Sequence, residues 1–244
     1  EYPAAAGNTN NYSPLDTPNF TALLSEMRAA LDAQEALDGK EYLLTIAAPG
    51  GKDKFEKIEI ANIHPHLDFI NLMTYDFHGA WASMTNFHSP LKGTSTDPSY
   101  SLQYWSDYAI DGWLQGGVPS EKLVLGVPFY GRGWTGVPAG PNGDGLYQTG
   151  GSAAPGTYES GMEDYKVLKN LTATYNSYFH PETEAFWIFH PGSGTFWSFD
   201  DTASMTNKMN YIKAKNLGGA MFWELSGDDA TGSLIQAIHD TLNN

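Results

Sequence analysis

Apolar residues in this chain fall into short continuous runs, separated by stretches whose apolar positions take helical spacing. The run Leu67–Thr74, inside LDFINLMTYDFHGAW, is apolar and β-rich, as a strand buried in a parallel sheet must be. It ends abruptly in Tyr75, Asp76 and Trp81. Comparable strands are expected at Tyr42–Ala48, at Lys122–Tyr130 within KLVLGVPFYGRGW, and at Leu217–Glu224 within GGAMFWEL. Between them lie helical patterns. The first has a cap at Asp16 or Thr17, Pro18 in its first turn, and an apolar stripe of Phe20, Leu23, Leu24, Met27, Ala30 and Leu31. Others are expected over Phe55–Ile63, Ser101–Leu114 (stopped by Gly116-Gly117) and Ser233–Leu242.

Strand and helix therefore alternate, which calls for an α/β fold with a parallel sheet and right-handed crossovers. One stretch breaks the pattern. From Thr135 to about Asp200 the chain is rich in Gly and Pro, then offers a helix-like EDYKVLKNL and a hairpin-like AFWIFHPGSGTFWSF around Gly192-Ser193-Gly194. This predicts a small α+β insertion at 135–200 between barrel units at 1–134 and a final barrel unit at 201–244. The length of 244 residues would suit a whole (β/α)8 barrel, yet only four strand–helix units are found, so the expected fold is half a TIM barrel. In such barrels chemistry sits at the carboxyl ends of the strands. Three strands here deliver aromatic and ionisable groups at that end: Tyr75 and Asp76, Tyr130 and Arg132, Trp223 and Glu224. One shared, aromatic-lined cleft follows.

Charge narrows the ligand. A formal net charge of −15 argues against nucleic acid and against an anionic membrane surface, and no apolar run is long enough to cross a bilayer. A neutral ligand fits better, and an aromatic content of 14% suits the stacking of sugar rings. The absence of cysteine removes disulfides, thiolate nucleophiles and zinc–thiolate sites. His64-x-His66 has a possible metal spacing, but Pro65 stands between the two and no carboxylate cluster follows, so no metal site is expected. The glycines of GRGWTG open no helix and are not a dinucleotide fingerprint. His78 and His88 are read as loop residues near the cleft, without a role.

MTYDFHGAW, PFYGRGWTG and the late FWEL, in that order, resemble family 18 glycoside hydrolases, in particular bacterial chitinases of the chitinase A type with an insertion domain. The resemblance runs the length of the chain and implies its carboxyl-terminal four β/α units. Glu1-Tyr2-Pro3 is similar to the tail of the family's Asp-x-x-Asp-x-Asp-x-Glu signature, which would make Glu1 the catalytic acid and place the aspartates upstream. The family is a substrate-assisted exception to the two-carboxylate scheme. The resemblance thus implies an endo-acting, retaining chitinase in which Glu1 protonates the glycosidic oxygen and the sugar's acetamido oxygen attacks the anomeric carbon. Tyr75 would stabilise the developing oxazolinium ion, and Trp223 would lie under the distorted ring. Asp76, Arg132 and Glu224 would bind substrate, Met73 and Tyr130 would shape the acetamido pocket, and Trp81 would stack on the leaving side. GTYESG resembles a segment reaching the non-reducing side, which adds Tyr158 and Glu159. No cofactor is implied, the partner is chitin or a chito-oligosaccharide, and the setting is extracellular.

Two expectations follow for the isolated chain. An acid at neutral pH needs a raised pKa, whereas the α-ammonium of a terminal Glu1 would lower it and a terminus frays. Weak hydrolysis or none is expected, and a non-catalytic, lectin-like chitin-binding module is the alternative. The outer strands of a half barrel would also expose unpaired backbone, so pairing with an amino-terminal half or self-association is expected.

Overall fold

The computed structural model describes all residues except 1, 2, 8 and 9, so the expectation placed on Glu1 lies outside the described residues. The strands are β1 (Thr45–Pro49), β2 (Phe69–Met73), β3 (Leu123–Pro128), β4 (Tyr130–Thr135), β5 (Ser152–Ala153), β6 (Met162–Asp164), β7 (Asn176–His180), β8 (Ala185–His190), β9 (Thr195–Phe199) and β10 (Gly219–Trp223). The α-helices are α1 (Asp16–Asp38), α2 (Lys52–Phe55), α3 (Ile60–Ile63), α4 (Ser106–Gln115), α5 (Tyr165–Leu171), α6 (Thr202–Lys215) and α7 (Ser233–Asn243).

The fold is α/β, and its main sheet is parallel, with strand order β1-β2-β3-β10. Its centre is dry: Ile70, Leu72, Leu123, Leu125 and Val127 are fully buried. Helices cover it through Ile110 and Trp113 of α4, Met205, Met209 and Ile212 of α6, and Leu234 and Ile238 of α7. The outer strands are less protected, with Ala47 of β1 and Trp223 of β10 exposed.

Between β3 and β10 the chain builds a second, antiparallel sheet in the order β5-β4-β9-β8-β7, with β6 also pairing β4. The hairpin expected from AFWIFHPGSGTFWSF is β8–β9, with Phe186 opposite Phe199 and Ile188 opposite Trp197. This sheet has its own apolar cluster, which includes Phe87, Trp134, Trp187, Phe189 and Phe196.

Several boundaries differ from the sequence reading, each for a local reason. The strand expected over Lys122–Tyr130 stops at Pro128, where Phe129 N–H turns to donate to Trp223 O at 2.7 Å. The chain then enters the second sheet at Tyr130, ahead of the Thr135 boundary drawn from composition. β1 begins at Thr45 rather than Tyr42, because the Leu44 N–H is taken by the Asp68 carboxylate at 2.6 Å. Phe55–Ile63 is not one helix but the end of α2, a turn, and α3, separated at Glu59 by a non-helical ψ of 67°. The helix expected from Ser101 starts at Ser106, after Gln103 takes a left-handed φ of 57°.

The first helix also differs from expectation. Neither Asp16 nor Thr17 caps it; Leu15 holds the N-cap position, and the Asp16 carboxylate instead accepts Ser13 N–H at 2.8 Å. Of its apolar stripe only Leu24 is buried, while Leu23 and Met27 face solvent.

Candidate functional site

The carboxyl ends of β2, β3 and β10 and the start of β4 meet on one side of the parallel sheet. Tyr75 leaves β2 there and reaches β10, its hydroxyl 3.8 Å from the Met221 sulfur. Its ring stands edge-on to Tyr130 with centroids 6.2 Å apart. The cross-strand pairing explains this reach: Gly126 of β3 lies between, and a Cβ there would come 2.2 Å from Leu72 O and 3.0 Å from the Tyr75 ring. Trp223 ends β10, two positions beyond Met221, and is 57% exposed, with a broad face open to solvent.

Beside Tyr75 lies an ionic clamp. Arg132 donates to both Asp76 oxygens, Nε to Oδ1 at 2.7 Å and Nη2 to Oδ2 at 3.0 Å, the two-pronged geometry that makes such pairs strong and directional. Its Nη1 also lies 3.5 Å from Glu159 Oε1. The guanidinium lies near two aromatic rings, 5.1 Å from the Trp81 ring and 5.3 Å from the Tyr130 ring. Trp81 is itself 62% exposed and lies over Gly79, where an added Cβ would be 2.3 Å from the indole. The glycines flanking Arg132 have a packing reason: a Cβ at Gly133 would strike Trp197 at 2.3 Å, and one at Gly131 would lie 2.7 Å from Ser198 O.

Charge in the clamp is fixed. Burial on its own would raise the Asp76 carboxyl, but the two-pronged hydrogen bond from Arg132 holds it well below the usual carboxylate range. Because the folded pKa is depressed, the stabilisation is present above the unfolded value of about 3.9 and is lost only as pH falls through the lower folded value. A carboxyl 13C titration is therefore expected to find Asp76 still ionised at pH 4, where an unperturbed aspartate is half protonated. A midpoint near 3.9 would mean that the clamp does not form.

Sequence-derived candidates divide accordingly. The structure brings Tyr75, Asp76, Trp81, Tyr130, Arg132 and Glu159 together, with Met73 at the tip of β2 and Trp223 at the tip of β10. Glu224 follows Trp223, and its carboxylate accepts the Ser226 hydroxyl. Tyr158 stands in solvent at 78% exposure.

Buried polar groups behind the cleft were given no role by the sequence. Thr74 donates its hydroxyl to Gly126 O at 2.6 Å, and its carbonyl accepts Ser89 Oγ at 2.6 Å. Ser89 accepts in turn from the buried Lys208, which pairs with Asp200. His88 is fully buried against Asp76 and Tyr130. Lys208 had a legible signal, since it interrupts the apolar stripe of Met205, Met209 and Ile212 on α6.

A parallel sheet with aromatic and ionic side chains gathered at its strand tips, together with a second, antiparallel sheet, makes this an α/β protein. Residues 1–228 match glycosyl hydrolases family 18, and the chain belongs to that family. It is 42% identical over 239 residues to chitinase A1 of Niallia circulans, covering 93% of this chain and 34% of that protein. Among solved structures it is similar to chitinase ChiA74 from Bacillus thuringiensis, with a TM-score of 0.92 and 37% identity over 100% of this chain and 42% of that one. It is also similar to YKL-39, solved in the presence of chito-oligosaccharides, with a TM-score of 0.87 and 27% identity over 94% of this chain and 66% of that one. The chain thus spans well under half the length of the first two.

Proposed function

We propose that the cleft binds β-1,4-linked N-acetylglucosamine chains and forms the carboxyl-terminal part of an endo-acting chitinase site that works with retention and substrate assistance. The observation that carries this is the convergence of Tyr75, the Asp76–Arg132 clamp and the open faces of Trp81 and Trp223 at one end of the parallel sheet. Tyr75 can donate a hydrogen bond without acquiring charge, which suits an acetamide oxygen that turns cationic as it attacks; a carboxylate there would repel that oxygen. Trp223 offers the flat surface for a distorted ring at the cleavage point, and Trp81 one for a sugar on the leaving side. Met73 and Tyr130 shape the acetamido pocket, while Asp76 and Arg132 fix hydroxyl and amide groups. Tyr158, Glu159 and Glu224 extend the surface, and Glu1 takes the part of general acid.

In this reading the parallel sheet is four strands of an eight-stranded barrel, and the antiparallel sheet is an insertion on a strand-end loop. The half-buried edges β1 and β10 and the uncovered stripe of α1 support it, since each presents a surface that an adjoining strand or helix would cover. An amino-terminal half-barrel, or a second copy, is the partner that fits. The extracellular setting rests on the family.

A second reading, a lectin-like module, is favoured by the exposure of the stacking platforms, which need no acid to bind sugar. Incubation with a fluorogenic N-acetylglucosamine oligomer separates the two. The hydrolase reading expects product release, weak from this chain alone and restored by an added amino-terminal half, that falls about 10²–10³-fold in Tyr75→Phe, the size of effect found when one transition-state donor is lost. Saturable binding with no release would favour the lectin.

A further inference from the structure

His88 sits where no sequence pattern assigns it a task, and its contacts are unusual. Its side chain is 0% exposed, with Nδ1 3.1 Å from the Asp76 amide nitrogen and 3.3 Å from Asp76 Oδ1. The ring lies against Tyr130, centroids 4.8 Å apart. Among the described residues Nε2 is buried and meets no hydrogen-bond partner. Two backbone bonds fix the residue: its N–H donates to Ser198 Oγ at 3.1 Å, and its carbonyl accepts Phe77 N–H at 3.0 Å. Opposite, Asp76 is held in the left-handed region at φ 57°, a conformation that costs any residue with a Cβ.

The amide of Asp76 is an obligate donor, so the nitrogen facing it must present a lone pair. That leaves the imidazole proton of a neutral ring on Nε2. A charged ring would be unfavourable. Arg132 on β4 already supplies the cation for Asp76, and a second cation would repel it. The other groups facing the ring are Tyr130 on β4, Asp200 just past β9 and His78 in the same loop, with Lys208 of α6 reaching Asp200. Burial lowers the His88 pKa, Arg132 adds to that, and Asp76 and Asp200 oppose it; the net shift is downward.

We propose that His88 is the positioning residue of this cleft: neutral, with its proton on Nε2, it accepts the Asp76 amide at Nδ1 and fixes the turn that aims Tyr75 and the Asp76–Arg132 pair at the bound sugar. The ligand rests on the function proposed above; the tautomer and the turn do not.

Long-range 15N–1H correlation spectra of the whole chain read the tautomer directly. The expected result is Nε2–H with a bare Nδ1, unchanged through the region near pH 6.5 where an exposed imidazole titrates. A proton on Nδ1, or on both nitrogens, overturns the proposal. Two variants then separate positioning from packing. His88→Asn places an amide oxygen where Nδ1 stood, whereas His88→Leu fills the space with no acceptor. By calorimetry with chitotetraose, and with melting temperatures measured alongside, His88→Asn should bind within about twofold of the parent and His88→Leu about tenfold more weakly, as expected for a buried amide left unpaired. Equal losses in both variants, or none in His88→Leu, also overturn it. Should His88→Leu not fold, the tautomer and the asparagine variant decide. Should the parent chain bind no chitotetraose, the sugar reading fails and the tautomer still decides the geometry.

Discussion

Replacing Lys208 with alanine is expected to lower folding stability by about 3–5 kcal/mol, at the upper end of what a single substitution does. Lys208 is completely buried, and its ammonium donates to Asp200 Oδ2 at 2.5 Å and to Ser89 Oγ at 2.7 Å. Ser89 passes the link to Thr74 O at 2.6 Å, one residue before Tyr75. Truncation would leave the Asp200 carboxylate, itself 3% exposed, without its cation in a low-dielectric site. Against a typical domain stability of about 5–15 kcal/mol, that loss brings the chain close to unfolding. Changing both partners, Lys208→Met with Asp200→Leu, removes the uncompensated charge and should recover most of the loss. Denaturant midpoints at unchanged slope check both statements. A Lys208→Ala chain within about 1 kcal/mol of the parent would show that the pair is not buried as described.

The second large effect is on ligand affinity. Trp223→Ala should weaken chitotetraose binding by about 2 kcal/mol, roughly thirtyfold, because a single open indole at the centre of a contact surface commonly dominates its energy. Stability should change little, since Trp223 is 57% exposed. Trp81→Ala should cost less affinity, although its indole also shields the Arg132 guanidinium 5.1 Å away. Calorimetric titration of both variants tests the order. Loss of stability without loss of affinity at Trp223 would assign that indole to packing instead.

How far the sequence could be read depended on whether contacts were local. The central strands β2 and β3 were legible because burial leaves an apolar run, and the tips followed directly, with Tyr75 and Asp76 just beyond β2 and Trp223 ending β10. The hairpin β8–β9 was legible from alternating bulky residues about a glycine turn. The change of sheet at Phe129 was not, because Tyr130–Trp134 is as buried as the strand before it and no polar residue marks the break. The α1 stripe had helical spacing, but spacing does not say what covers it, and most of it is open. The clamp's second layer was hidden for another reason. His88 and Ser89 sit in a loop, and their partners Ser198 and Lys208 lie more than a hundred residues away in sequence.

The central claim is that strand tips from one parallel sheet form a trough selective for N-acetylated sugar chains. An NMR titration of the chain with chitotetraose, set beside cellotetraose of the same length and lacking acetamido groups, tests it most directly. Saturable shifts are expected at the indole N–H groups of Trp81 and Trp223 and at the Tyr75 ring, with the cellulose oligomer at least tenfold weaker. Unmoved signals at these three residues, or equal affinity for the two oligomers, would contradict it.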